Sequence, residues 1–174
     1  MKTALFILHQ QTSEAGDIAN KLKIRGFNFE ISRPSLGDSL PTNLNNYSAI
    51  VVFGGPMSAN DNNEFMKKEI DWIGQVLQSE VPFLGICVGM QLLADESYEN
   101  GKHKGLGWIG GSIKKLFGSN LKFPHMGWNN VKIRESFPKM IFSKENKDFY
   151  FVHNYYFECL NKKKEDRKKM EQGF

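Results

Sequence analysis

The 174-residue sequence predicts an α/β fold of three layers, a mostly parallel sheet flanked by helices. Three observations predict it. Short apolar runs alternate with helical stretches over the first 95 residues, in the order β-α-β-loop-β-α-β-α. The central run, "SAIVVFGG", is β-branched and opens into two glycines. The helical stretches lie between the strands, as parallel strands with both faces covered require.

The elements follow in order. "TALFILH" reads as a short buried strand. "SEAGDIANKLKIRG" reads as a helix, with Ile18 and Leu22 one turn apart and Gly26 where a C-terminal cap belongs. "FNFEIS" alternates like a strand, and "SLGDSLPTNLNNY" is rich in loop residues. "DNNEFMKKEIDWIGQVLQSE" is the clearest helix. Asp61 and Glu64 have capping-box spacing, and Met66, Ile70, Ile73 and Leu77 form one apolar stripe. "VPFLGIC" is the next strand, and "VGMQLLADE" begins a helix. Beyond Gly101, "GLGWIGGSIKKLF", "NNVKIRE" and "FYFVHNYYFEC" read as further strands.

Length suits one domain that buries roughly 70% of its unfolded surface. Residues 1–160 are expected to form that domain and 161–174 a basic tail. The tail holds six Lys or Arg and three acids, which is +3 of the net +4. The domain itself is therefore near neutral, and no nucleic-acid partner is expected. No apolar run approaches the ~20 residues of a membrane span, and "MKTALFILHQQ" does not read as a signal peptide. Cys87 and Cys159 make no disulfide framework and fit a reducing cytoplasm. No His/Cys/Asp cluster has metal-ligand spacing, and no cofactor is expected.

The chemistry centres on Gly85-Ile86-Cys87-Val88-Gly89. A side chain at a sharp strand-to-helix turn is lifted clear of the sheet and needs small neighbours, which the flanking glycines supply. The following helix favours thiolate. The Val88 N–H can stabilise an oxyanion. A cysteine is otherwise a small packing residue, and the G-x-C-x-G setting tells against that here. Gln91, four residues on, shares a helix face with Cys87. Gly54 and Gly55 end a central strand, so their loop should open at the same sheet edge. Their N–H groups could complete an oxyanion hole or cradle phosphate, although the P-loop Lys-Ser/Thr is absent.

"GICVGMQLLADES" together with "FGGP" resembles class I glutamine amidotransferases, a three-layer, flavodoxin-like fold. The resemblance implies Cys87 as nucleophile toward the glutamine amide, a thioester, and release of ammonia. It implies oxyanion donors at Val88 and at Gly54–Gly55. "KGLGWIGGSIKKL", "FPHMGWNNV" and "FYFVHNYY" resemble the glutaminase subunit of imidazole glycerol phosphate synthase, which serves histidine biosynthesis with a (β/α)8 cyclase partner. That match implies Gln91, Glu99, Tyr150, Asn154 and Tyr155 in the glutamine pocket. It puts Pro124 to Trp128, with His125 and Trp128, on the partner-facing side. From Met1 to Ala94 the chain is more similar to GMP-synthase-like stand-alone amidotransferases.

The family completes its triad with a C-terminal His-x-Glu. None of His9, His103, His125 and His153 is followed two residues later by Glu. The chain is therefore expected to be truncated or frame-shifted at its C-terminus and weakly active or inactive alone. A triad-deficient binding protein is the alternative. His153 is the best internal candidate for a substitute base, ahead of His125. His9 is expected to cap the first strand and His103 to sit in a polar loop.

Overall fold

The computed structural model describes residues 2–118, 122–131 and 147–160. The expected tail at 161–174 lies outside them. The described residues divide into two compact units, 2–113 with 157–160, and those described between 114 and 156.

The first unit is built on a parallel sheet of β1 (Lys2–Ile7), β2 (Phe27–Ser32), β3 (Ala49–Val52) and β4 (Phe83–Gly85), in the order β2-β1-β3-β4. Alternate side chains of a strand point to opposite faces, and both faces are buried. Leu5, Ile7, Ile50 and Val52 pack on α2 (Glu64–Gln78) through Met66, Trp72, Ile73 and Val76. Ala4, Phe6 and Val51 pack on α1 (Gly16–Ile24) through Ile18, Ala19 and Leu22. The three layers follow directly from this two-sided apolar pattern.

The capping reading of α2 needs correction. The residue before its first turn is Asn63, whose side chain makes no cap bond. The Asp61 carboxylate instead accepts from Ser58 N–H at 3.1 Å and closes the preceding loop. A second correction concerns "VGMQLLADE". The helix α3 is only Val88–Gln91, and Ala94–Ser97 is strand β5. Ala94 leaves the helix to pair in parallel with Ile109 of β7 (Ile109–Lys115), while β5 pairs antiparallel with β6 (His103–Lys104). This second sheet has the order β10-β7-β5-β6, β10 being Tyr155–Cys159.

In the second unit, β8 (His125–Val131) and β9 (Lys147–His153) form an antiparallel pair. "PHMGW" therefore leads into a strand that starts earlier than "NNVKIRE", whose residues 132–135 lie outside those described. "FYFVHNYYFEC" is two strands rather than one, broken at Asn154. The His153 ring donates there to the Tyr155 carbonyl at 2.7 Å.

Candidate active site at the Cys87 turn

Cys87 joins β4 to α3 with φ 55° and ψ −112°. Positive φ is uncommon for a residue with a side chain and costs on the order of 1–3 kcal/mol unless the surroundings enforce it. Here they do. Ile86 N–H donates to Val52 O at 2.9 Å, and Met90 and Gln91 N–H donate to Cys87 O at 3.0 and 2.9 Å. A Cβ at Gly85 would land on the Gly89 carbonyl, and one at Gly89 would stand 2.7 Å from Val52 O. Both glycines are thus required by close approach of backbone to backbone. The turn leaves Cys87 exposed, although its neighbours Val88 and Gly89 are buried.

Gly54 lies against this cysteine. A Cβ on Gly54 would stand 2.6 Å from Cys87 Cβ and 2.9 Å from Sγ. Gly55 faces elsewhere, since its Cβ would meet Cβ of His9 at 2.8 Å. Glu99 is held by its backbone: its carbonyl accepts from Asn60 Nδ2 at 2.7 Å, and its N–H donates to Ser97 Oγ at 3.3 Å.

The sequence led us to expect a thiolate favoured by the helix that follows. The structure pushes the thiol the other way. Although the residue is exposed, the atoms packed around its sulfur desolvate the thiolate and raise the thiol pKa above the ordinary 9.0, a hydrogen bond from Val88 N–H lowers it, and the charge of Glu99 raises it further. A helix of four residues has too short a run of peptide dipoles to overturn this.

The expected site residues fall in both units. Cys87, Val88 and Gly54 meet in the first, within range of the Glu99 charge, and Gln91 ends α3 one turn on. In the second unit Trp128 and Tyr150 pair across β8 and β9 with ring centroids 5.6 Å apart. His125 Nδ1 lies 2.8 Å from His153 Nε2, and the Asn154 carbonyl accepts from Leu116 N–H. Tyr155 opens β10.

Three residues escaped the sequence reading. Asn60 ties the loop after β3 to Ser97 and Glu99. His9, expected merely to end the first strand, is buried with Glu69 of α2 beside the Gly54–Gly55 loop. The available signal was Glu69 itself, which sits three residues after Met66 and four before Ile73 on the apolar stripe. A carboxylate there needs a buried partner. Among the described residues of the first unit, neither imidazole bonds the Cys87 sulfur. His9 turns to Glu69 and Gly54, and His103 to Asn100 O.

The sequence profile described as "Glutamine amidotransferase class-I" matches residues 10–171. The chain belongs to this family. It is 34% identical over 140 residues to the imidazole glycerol phosphate synthase subunit HisH of Dehalococcoides mccartyi, covering 80% of this chain and 65% of that one. It is 51% identical over 79 residues to the HisH subunit of Rhodospirillum rubrum, covering 44% of this chain and 37% of the relative. The chain thus spans less than two thirds of the length of either relative. Among solved structures, a glutamine amidotransferase from Thermotoga maritima aligns with TM-score 0.65 at 25% identity, covering 91% of this chain and 63% of that one. The amidotransferase fold accounts for the parallel sheet and for the turn at its edge.

Among the described residues no group of three or more His, Cys, Asp or Glu could hold a metal ion. Among the described residues no helix is long and apolar enough to cross a membrane.

Proposed function

We propose that this chain is the glutaminase part of a cytoplasmic amidotransferase, one that passes ammonia to a (β/α)8 synthase partner in histidine biosynthesis. The observation that carries the reading is the enforced positive-φ turn that presents Cys87 beside Gly54 and the Val88 N–H. Cys87 Sγ attacks the side-chain amide carbon of glutamine. The Val88 N–H and the Gly54–Gly55 loop stabilise the oxyanion. Collapse passes the thiol proton to the amide nitrogen, which leaves as ammonia, and gives a thioester. Water then releases glutamate and regenerates the thiol. The family resemblance assigns Gln91, Glu99, Tyr150, Asn154 and Tyr155 to glutamine binding in this reading, and His125 and Trp128 to the partner.

The 174 residues contain no His-x-Glu, and both ring nitrogens of His9 have other partners. Turnover by this chain alone is therefore slower by about 10²–10⁴-fold than with a positioned acid–base. A second reading, in which the site binds glutamine without turnover, is favoured by the raised thiol.

A glutamine-like chloroketone with mass-spectrometric readout separates these. Selective labelling of Cys87, blocked by glutamine and rising as pH climbs past 9, is expected. Labelling of Cys87 no faster than that of Cys159 overturns the nucleophile and leaves the binding role.

A further inference from the structure

Behind the Gly54–Gly55 turn lies a buried pair that no step of the proposed reaction uses. His9 is 3% exposed and Glu69 0%. The His9 Nε2 proton is donated to both Glu69 oxygens, at 2.9 and 3.0 Å. A carboxylate only accepts, so this bond fixes a proton on Nε2. The other ring nitrogen, Nδ1, stands 3.4 Å from the Gly54 carbonyl oxygen. That oxygen also only accepts. The neutral imidazole turns a lone pair on it, whereas the imidazolium donates to it.

The consequence reaches the other end of the same peptide. The Gly54–Gly55 bond is trans, so its N–H points opposite to its carbonyl. Whatever holds the Gly54 oxygen also aims the Gly55 N–H. The peptide joins two glycines, so no side chain of its own fixes its plane and the groups packed around it decide its direction.

We propose that the His9–Glu69 pair is a positioning device for this peptide. As the imidazolium, His9 holds the Gly54 carbonyl and so sets the direction of the Gly55 N–H, the candidate oxyanion donor. Loss of the Nδ1 proton releases it. The link to catalysis rests on the glutaminase reading, while the link between imidazole and peptide does not.

The groups around the pair make this specific. Glu69 comes from α2, and the Phe53 and Gly54 carbonyls from the end of β3. Ser35 Oγ donates to the His9 backbone carbonyl at 2.7 Å. The Cys87 thiol lies against Gly54. Of these, Glu69 and Cys87 carry ionisable side chains. Burial depresses the His9 pKa, but the Glu69 hydrogen bond and charge, with the two carbonyls, outweigh it and raise the net value above 6.5.

The test follows the His9 ring and the Gly55 amide by NMR through a pH titration of the full chain. A common midpoint above the ordinary histidine value is expected in the wild type, which needs no variant to fold. Glu69→Gln should move both midpoints down together by about 1–3 pH units. Titration of His9 without a response at Gly55, or midpoints that part in the variant, overturns the proposal. In glutamine hydrolysis, kcat should fall roughly tenfold or more across that midpoint with KM little changed. That fall opposes the rise that thiol ionisation alone gives. Hydrolysis indifferent to the His9 midpoint overturns the positioning role. Absence of selective Cys87 labelling by the glutamine-like chloroketone sinks the glutaminase reading, and the titration still decides the coupling.

Discussion

The turn at Cys87 and the hairpin carrying Trp128 reach their conformations by opposite routes. At the turn, backbone packs on backbone. Gly85 meets Gly89, Gly89 meets Val52, and Gly54 meets Cys87, each too close to admit a Cβ. In the β8–β9 hairpin, side chains pair across two strands. Trp128 and Tyr150 touch while remaining 71% and 54% exposed. The first arrangement fixes a strained cysteine and tolerates no added atom. The second spends little burial and should tolerate change, as two-stranded ribbons gain little from their own pairing. The contrast teaches where rigidity resides: the candidate nucleophile stands on the part of the chain with no slack.

The sharpest way to break this comparison is to remove the polar support beneath the turn. Glu69→Ala at about pH 6 strips the buried His9 ring of its counter-charge, so that the ring must either stay charged unpaired or give up its proton, and should cost about 3–5 kcal/mol. The pH dependence has a fixed sign. The folded pKa of His9 lies above 6.5, so the pair's stabilisation is full below that value and is lost as pH rises through the folded pKa. Urea unfolding at about pH 6 and about pH 9 should therefore show the gap between wild type and variant narrowing with pH. An equal gap at both breaks the assignment of the pair.

Next in size is a single methyl group. Gly89→Ala places Cβ 2.7 Å from a backbone oxygen that cannot move aside and should cost about 1–3 kcal/mol in denaturant unfolding. The same substitution at Gly74 in α2 meets nothing within 4 Å and should stabilise by about 0.5–1 kcal/mol. A Gly89→Ala variant as stable as Gly74→Ala would mean that the turn has room to relax.

These residues also divide what was legible in the sequence from what was not. The parallel sheet could be read because its strands are apolar on both faces, as Leu5 and Phe6 illustrate by packing into different clusters. The tight turn could be read because glycine spacing encodes backbone approach locally. The extent of α3 could not. "VGMQLLADE" is rich in helix formers from Met90 to Ala94, and pairing of Ala94 with Ile109 overrides their propensity. The His9–Glu69 pair was hidden because its partners lie 60 positions apart. Periodicity reports which face a residue occupies and says nothing of what it meets there. The thiol was misjudged for a related reason: burial around the sulfur and the Glu99 charge are tertiary facts.

The smallest expected effect tests the other half of the comparison. Trp128→Ala removes a ring that is mostly in solvent and one edge-to-face contact with Tyr150. Cross-strand pairs of this kind contribute roughly 0.2–1 kcal/mol. Unfolding followed by circular dichroism should therefore shift only slightly. A cost equal to that of Gly89→Ala would mean that the indole fills a packed site, and the supposed contrast between a rigid turn and a tolerant hairpin would have to be abandoned. A slight shift leaves that exposed aromatic pair in need of some reason other than stability.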